Sequence, residues 1–464
     1  MADDMKQDPE VERRDNPAAT AAEDDDDARR MVINIGPSHP AMHGIIRIVT
    51  EVEGETVRQA DIGIGYLHRA FEKSAEHVGW NGVMPYTDRL NYVSPLINNF
   101  GYCMAVEKLM GIHPPERAEY IRTIMAELSR VGDHLTCVGA SAMELNAFTA
   151  FLYFMAAREL VYELVEDVTG ARITVAYGRV GGVRADLPEG FVPKALGFFK
   201  TIRQNIAEVH GLLTRNRIFF DRMRDTGAIS AADALDYGIM GPFLRGTGVA
   251  HDLRKAEPYH MYSRMEFDVP TGTQGDNYDR YLVRMEEMEQ SLRICEQCFK
   301  QMEPGAHQSA IPPEYIDADQ MVDGAKHART EMLIDREARL SPNLEGQEHR
   351  HKRRVIADDK AAAMPSLGKT YSNIESMMNH FMLVMNCHGI RPPAGEAYAA
   401  VEGANGELGF YVVSDGSGYP YRVRVHPPCF PILASLEQVL VGGMVADIIA
   451  TFGSVNMIGG ELDR

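Results

Sequence analysis

Residues 114–146, "PPERAEYIRTIMAELSRVGDHLTCVGASAMELN", decide what kind of fold this chain can adopt. Two prolines open the stretch, and apolar residues then return every three or four positions to its end, which is the spacing of one long helix. The same period runs through 68–78 "HRAFEKSAEHV", 88–111 "DRLNYVSPLINNFGYCMAVEKLMG" and 148–170 "FTAFLYFMAARELVYELVEDVTG". Neighbouring helices with so heavy an apolar load must cover one another, so a buried helical bundle is predicted. Two more long helices are predicted from about Glu189 to Arg215 and from about Tyr278 to Met302.

On either side of the bundle the period changes to two. "MVINI" at 31–35, "GIIRIVTEVEGE" at 44–55 and "TVRQADIGIG" at 56–65 alternate apolar and polar residues between turns, predicting a small antiparallel sheet. Residues 395–402 "GEAYAAVE" and 403–425 "GANGELGFYVVSDGSGYPYRVRV" predict a second one. The helix "SNIESMMNHFMLVMNC" at 372–387 precedes that sheet, and a last helix near Gly442 to Thr451 follows it. The fold class is therefore α+β, a buried helical bundle core flanked by two small antiparallel sheets. Along the chain this divides into a disordered acidic tail at 1–30 and a main domain at 31–464. The domain consists of an N-terminal sheet (31–66), a helical core (67–311), a charged aperiodic insertion (312–365) and a C-terminal part (366–464).

Composition narrows the function. The 464 residues carry 47 Lys and Arg against 66 Asp and Glu, a net charge of −19, which argues against nucleic acid as a partner. No run of about eighteen apolar residues could cross a bilayer. The N-terminal segment, with "AEDDDDARR", resembles neither a transit peptide nor a signal peptide, which favours a cytoplasmic, bacterial chain. Six scattered cysteines form no disulfide framework. Only Cys295 and Cys298 lie close together; without a second ligand pair they are read as packing residues on a helix.

The loop between the first two strands, 36–44 "GPSHPAMHG", places His39 and His43 four apart. A zinc-binding HExxH pair needs a helix and a glutamate, but here Pro40 intervenes and no Glu is present. Either His39 caps the turn and His43 is merely exposed, or the imidazole works as a proton donor with a carboxylate beside it. Paired with a tyrosine hydroxyl, such a donor suits a quinone, whose two-electron reduction takes up two protons.

"GPSHPAMHG", "GYLHRAFEK", "YTDRLNYVSP", "AELSRVGDHL", "PPAGEAYAAVE", "GELGFYVVSDGSGYPYRVRV" and the terminal "ELDR" follow one another from about Met31 to Arg464. In that order they resemble the D-type (49 kDa-type) subunit family of respiratory complex I, the proton-pumping NADH:quinone oxidoreductase. The resemblance implies a fold like that of nickel-iron hydrogenase large subunits, to which the family is distantly related. It implies that His43 and Tyr92 hydrogen-bond the quinone headgroup, that Ile458 lines the quinone site, and that His39, Glu144 and Asn91 support it. It places Arg69 and Arg89 beside the tetranuclear iron-sulfur cluster of a small partner subunit. The substrate would be menaquinone or ubiquinone. NAD, FMN and the iron-sulfur clusters would be carried by other subunits, with no cofactor and no metal bound by this chain alone. The expected partners are the B-type small cluster subunit, the C-type subunit and the H-type membrane subunit that holds the quinone channel, at the cytoplasmic face of the bacterial inner membrane.

Four positions depart from the family pattern. Glu144 stands where an Asp pairs with the loop histidine, Asn91 where an Asp precedes the tyrosine, Asn456 where an acidic residue is usual, and Thr174 where many members have a histidine. The loss of that histidine puts pH coupling of the cluster in doubt and suggests a low-potential quinone such as menaquinone. Two other readings remain. The hydrogenase reading requires cysteine pairs, and neither "MPYTDRLNYV" nor "NMIGGELDR" contains one. The other is a catalytically silent scaffold joining the two arms of the complex. If the charged insertion is a docking segment, deleting residues 315–360 should reduce the amount of assembled complex in membranes; an undiminished complex would refute that role.

Overall fold

The computed structural model describes residues 30–309, 371, 372, 374, 377 and 390–464. The acidic tail up to residue 29, the charged insertion at 312–365 and most of the helix read at 372–387 lie outside the described residues.

Three strands, β1 (Arg30–Ile35), β2 (Arg47–Glu53) and β3 (Thr56–Gly63), form an antiparallel sheet in the order β1-β2-β3. Alternation in β2 puts Ile48, Thr50 and Val52 on its buried face. Two short helices, α1 (Phe71–Glu76) and α2 (Met84–Thr87), then lead to α3 (Pro95–Met110), α4 (Glu116–Glu144) and α5 (Phe148–Thr169). The sequence predicts α3 from Asp88, but the residues before Pro95 stay outside it. Asn91 Oδ1 instead accepts from the backbone N–H groups of Val93 and Ser94, both at 3.2 Å, and Pro95 opens the helix at a position that needs no donor. Similarly, residues 68–70 stay outside α1 because Ala70 takes a left-handed φ of 54°.

α4 is the axis of the bundle. Glu116 and Glu119 complement the helix dipole in its first turn, and it packs against α3, α5 and the long helix α11 (Asn277–Gln301). Between α5 and α11 come a two-stranded ribbon, β4 (Gly178–Arg179) with β5 (Gly182–Val183), then α6 (Phe191–Leu213). The short helices α7 (Arg217–Met223), α8 (Ala231–Asp236), α9 (Gly241–Gly246) and α10 (Leu253–Ala256) precede α11 (Asn277–Gln301). A second three-stranded sheet, β6 (Gly395–Glu402), β7 (Glu407–Ser414) and β8 (Arg422–His426), packs on α3. The described residues thus contain three sheets rather than two; the ribbon is too short to show an alternation. The chain ends in α12 (Cys429–Leu440), α13 (Val445–Val455) and α14 (Gly459–Asp463), where the sequence predicts one helix. Gly442 and Gly443 separate the first two, and their backbone pairs with Val57 at the edge of the first sheet.

Two apolar clusters result. The larger lies among α3, α4, α5, α6, α11 and the second sheet. The smaller joins chain segments far apart in sequence: Ile48, Val52 and Val57 of the first sheet meet Leu433 and Leu436 of α12, Ile448 and Phe452 of α13 and Leu462 of α14. Met42 and Ile45 of the histidine loop belong to this second cluster.

A sealed ionic network fixes the helices of the bundle. Arg254 donates to both oxygens of Asp252 and to Glu127, while Arg245 donates to Glu287 and Glu402. His134 Nε2 lies 2.7 Å from Glu287 Oε2, and the Tyr262 hydroxyl donates to Glu127 at 2.6 Å. All of these side chains are buried. Burial alone would push Glu127 and Glu287 up, yet the adjacent guanidiniums hold both below the usual carboxylate range. Removing a partner from such a network strands a charge away from water. Replacing Arg254 with Met should therefore cost about 3–5 kcal/mol, read as a lower unfolding midpoint; a variant as stable as the parent would contradict this role.

Candidate functional site

The histidine loop is built as a stiff tip. Gly36 has a φ of 86°, and a Cβ there would collide with the Ile46 carbonyl and the Met42 side chain, so only glycine fits. Pro40–Met42 form one 3-10 turn with Pro40 at its start. His39 Nδ1 accepts from the Ala41 N–H at 3.3 Å, so His39 is the cap of this turn. His43, at a left-handed φ of 55°, closes the turn and projects a side chain that stays 45% exposed. The two imidazoles therefore do different work, and one face does not carry both.

His43 Nε2 lies 4.0 Å from Glu144 Oε1, within ion-pair range but beyond a direct hydrogen bond. Glu144 is the last residue of α4, and Phe452 of α13 meets the His43 ring edge-on at 6.4 Å. α4 approaches α13 at Gly453, where a Cβ would displace the Glu144 carboxyl, and Ser141 Oγ donates to the Gly453 carbonyl at 2.7 Å. Glu144 Oε2 is buried and has no hydrogen-bond partner among the described residues. Burial pushes the Glu144 carboxyl up to about 7 and pulls the His43 imidazole below its ordinary value. A nearby carboxylate would raise the histidine, but at this separation desolvation outweighs it. Near neutral pH the pair consequently holds its proton on the carboxyl side, with the imidazole as neighbour.

Tyr92 sits in the loop between α2 and α3, half-buried against the same apolar cluster that contains Met42, Ile45 and Ile458. A Cβ at Gly460 would lie 3.1 Å from Tyr92 Cδ1 and would collide with the Leu90 and Arg89 carbonyls, so the glycine lets α14 lie against this loop. Burial, with Cys429, Glu461 and Asp133 adding to it, pushes the Tyr92 phenol up against the pull of Arg69. Its hydroxyl is thus protonated and available as a donor. The structure brings the loop of His43, Tyr92 and Ile458 onto one cluster, with Glu144 behind His43. Asn91 closes the backbone turn that follows Tyr92.

Arg69 and Arg89 are neighbours on the surface. Arg69 donates to the Arg89 backbone carbonyl, and Arg89 donates to the Pro85 carbonyl at 2.5 Å and lies 3.4 Å from Asp88. Both remain exposed, so two positive charges face outward together beside Tyr92. Thr174 is exposed, and its hydroxyl donates to the adjacent Ile173 carbonyl at 2.7 Å. Cys295 and Cys298 are both buried in the bundle, next to the Ile124 carbonyl and the Met265 sulfur.

Asn456 explains itself through its partner. It caps α13 at a φ of 57°, and its Nδ2 donates to Asp133 Oδ1 at 2.7 Å and to Asn405 Oδ1. Asp133 Oδ2 in turn accepts from Ser94 Oγ at 2.9 Å. With a carboxylate already at 133, an acid at 456 would face it across a dry contact. Sequence reading singles out Asn456 but not Asp133, which is one of several polar residues in the helical stretch "SRVGDHL".

The sequence matches the family described as "Respiratory-chain NADH dehydrogenase, 49 Kd subunit" over residues 144–338 and 337–464. A protein of Myxococcus xanthus described as the D subunit of NADH-quinone oxidoreductase is 47% identical over 470 residues, spanning 100% of both chains. One of Pelobacter propionicus with the same description is 43% identical, covering 97% of this chain and 99% of its own. A protein of Bdellovibrio bacteriovorus described as a joined C/D subunit of NADH-quinone oxidoreductase is 46% identical over 93% of this chain and 68% of its own.

The Asp133 contact makes Asn456→Asp informative. Two facing carboxylates cannot both ionise in a buried contact, so the variant should assemble poorly, and Asp133→Asn should restore it in the double variant. Full assembly of the single variant in membranes, with unchanged NADH oxidation, would show that the pairing does not matter.

Proposed function

Since the chain belongs to the 49 kDa subunit family of the respiratory-chain NADH dehydrogenase, we propose that it forms the protein wall at which that complex reduces quinone. The observation that carries this reading is the convergence of the His43 loop, Tyr92 and Ile458 on one apolar cluster, with the carboxyl of Glu144 behind the imidazole. A quinone headgroup is flat and apolar with a carbonyl at each end. An apolar surface bearing one donor for each carbonyl suits it.

Reduction adds two electrons and two protons. The electrons come from NADH through the FMN and iron-sulfur clusters of partner subunits, which supply the redox chemistry. This chain supplies the protons. The Tyr92 O–H donates to one carbonyl oxygen, and the Glu144 proton reaches the other by way of the His43 imidazole. Because burial holds the Glu144 carboxyl at about 7, it still carries a transferable proton at neutral pH. Arg69 and Arg89, exposed side by side, would favour extra negative charge on a docked partner cluster.

The assignment of partners follows the same reading. The B-type small cluster subunit would lie over Arg69 and Arg89, the C-type subunit alongside, and the H-type quinone-channel subunit at the membrane. The joined C/D description of the Bdellovibrio bacteriovorus relative supports adjacency to the C-type partner. No helix among the described residues is long and apolar enough to cross a membrane. Peripheral attachment at the cytoplasmic face of the inner membrane, through partners, fits that observation, and proton pumping would then be driven in the membrane arm by quinone reduction.

Tyr92→Phe tests the reading, because it removes the donor and keeps the ring. In membranes with normally assembled complex, NADH:quinone reductase activity should fall by roughly 100-fold, while an artificial acceptor that takes electrons upstream of the quinone is reduced at the normal rate. Full activity with both acceptors would favour a scaffold that only joins the two arms.

A further inference from the structure

The residue directly following Gly460, which packs against Tyr92, is Glu461, a buried carboxyl close enough to act electrostatically on that tyrosine. Its surroundings differ from those of the carboxylates in the ionic network. Glu127, Glu287 and Glu402 each face a guanidinium, whereas no Arg or Lys among the described residues pairs with Glu461. Its Oε1 accepts instead from Cys429 Sγ at 2.7 Å and from Asn405 Nδ2 at 3.3 Å. Asn405 accepts in turn from Asn456, which also donates to Asp133. An acid in a dry site with no cation keeps its proton.

Resting on the assignment of Tyr92 to the quinone, we propose that Glu461 is a positioning residue for that tyrosine, storing the proton that refills its hydroxyl after the hydroxyl has protonated the quinone. The step is balanced without any change of oxidation state in this chain. As the quinone takes up electrons from the partner subunits, the Tyr92 O–H bond breaks and a quinone O–H bond forms. The Glu461 O–H then breaks and its proton restores the phenol. Transfer runs downhill, since a phenolate is far more basic than a carboxylate. The carboxylate left behind is held by the Cys429 thiol and the Asn405 amide, and it recovers a proton from the medium.

The titratable and charged groups around Glu461 are Cys429 from α12, Asp133 from α4 and Tyr92 from the loop before α3, with Arg69 on the far side of the tyrosine. Burial pushes Glu461 up to about 7, opposed by its bonds from Cys429 and Asn405 and reinforced by Asp133. Quinone turnover should therefore decline as the pH rises through the neutral range and the store empties.

The test measures NADH:quinone turnover against pH in membranes carrying the assembled complex, with the upstream acceptor as control. Glu461→Gln should lower turnover about tenfold and abolish the neutral inflection. Cys429→Ala removes a donor that stabilises the carboxylate, so the inflection should move to higher pH. Wild-type turnover and inflection in Glu461→Gln, alongside an inactive Tyr92→Phe, would overturn this proposal and leave the quinone assignment standing. Full turnover in Tyr92→Phe would remove both. Should Glu461→Gln fail to assemble, the Cys429→Ala profile decides, and an inflection that stays in place refutes the store.

Discussion

Four carboxylates, of Glu127, Asp252, Glu287 and Glu402, are enclosed with the guanidiniums of Arg130, Arg245 and Arg254 and the imidazole of His134. They come from α4, α9 to α11 and the end of β6. Their charges can be neutralised only if those elements sit in one relative arrangement, because a slip of either long helix would separate a carboxylate from its partner inside a dry interior. Apolar packing tolerates small shifts at modest cost. The network does not, and it turns a greasy bundle into a defined frame.

α4 transmits that definition to the surface. Its Glu127, Arg130 and His134 are locked into the network, its Asp133 reaches across to Asn456, and its final residue is Glu144 beside His43. A helix held at its middle places its end predictably, since each residue advances about 1.5 Å along the axis. The histidine loop and α14 approach from the opposite side through the second apolar cluster. The proposed quinone wall is thus a meeting of one rigid helix end with a glycine-dependent close approach at Gly460.

Much of this is legible in the sequence. Period-two and period-3.6 patterns locate the three strands of the first sheet and the long helices α4, α5, α6 and α11, because amphipathic and buried elements of that length leave a strong periodicity. Motif resemblance, rather than periodicity, points to His43 and Tyr92. The starts of α1 and α3 fall later than the periodicity predicts, since Ala70's left-handed backbone and the Asn91 turn are decided by contacts a local pattern does not contain. The ribbon β4–β5 and the helices α7 to α10 are too short to carry a period. The ionic network leaves only a trace: its member Glu287 recurs at helical spacing with the buried Arg280, Arg284 and Ser291, on a helix whose polar residues would otherwise be assigned to water. Convergence of distant carboxylates and guanidiniums is a property of the fold and has no signature in neighbouring residues.

The second apolar cluster also sets an order on biosynthesis. The inner face of the first sheet is covered in part by α12, α13 and α14, which are made much later, and the side chain of Asp463 accepts from the backbone N–H groups of Gly65 and Leu67. Residues 30–63 must therefore wait, part of their apolar face uncovered, until α12 to α14 have been translated. The loop bearing His43 acquires part of its support from those later helices. A nascent chain that has not yet reached α12 would show holdase chaperones a partly open sheet, while one that includes α14 hides it.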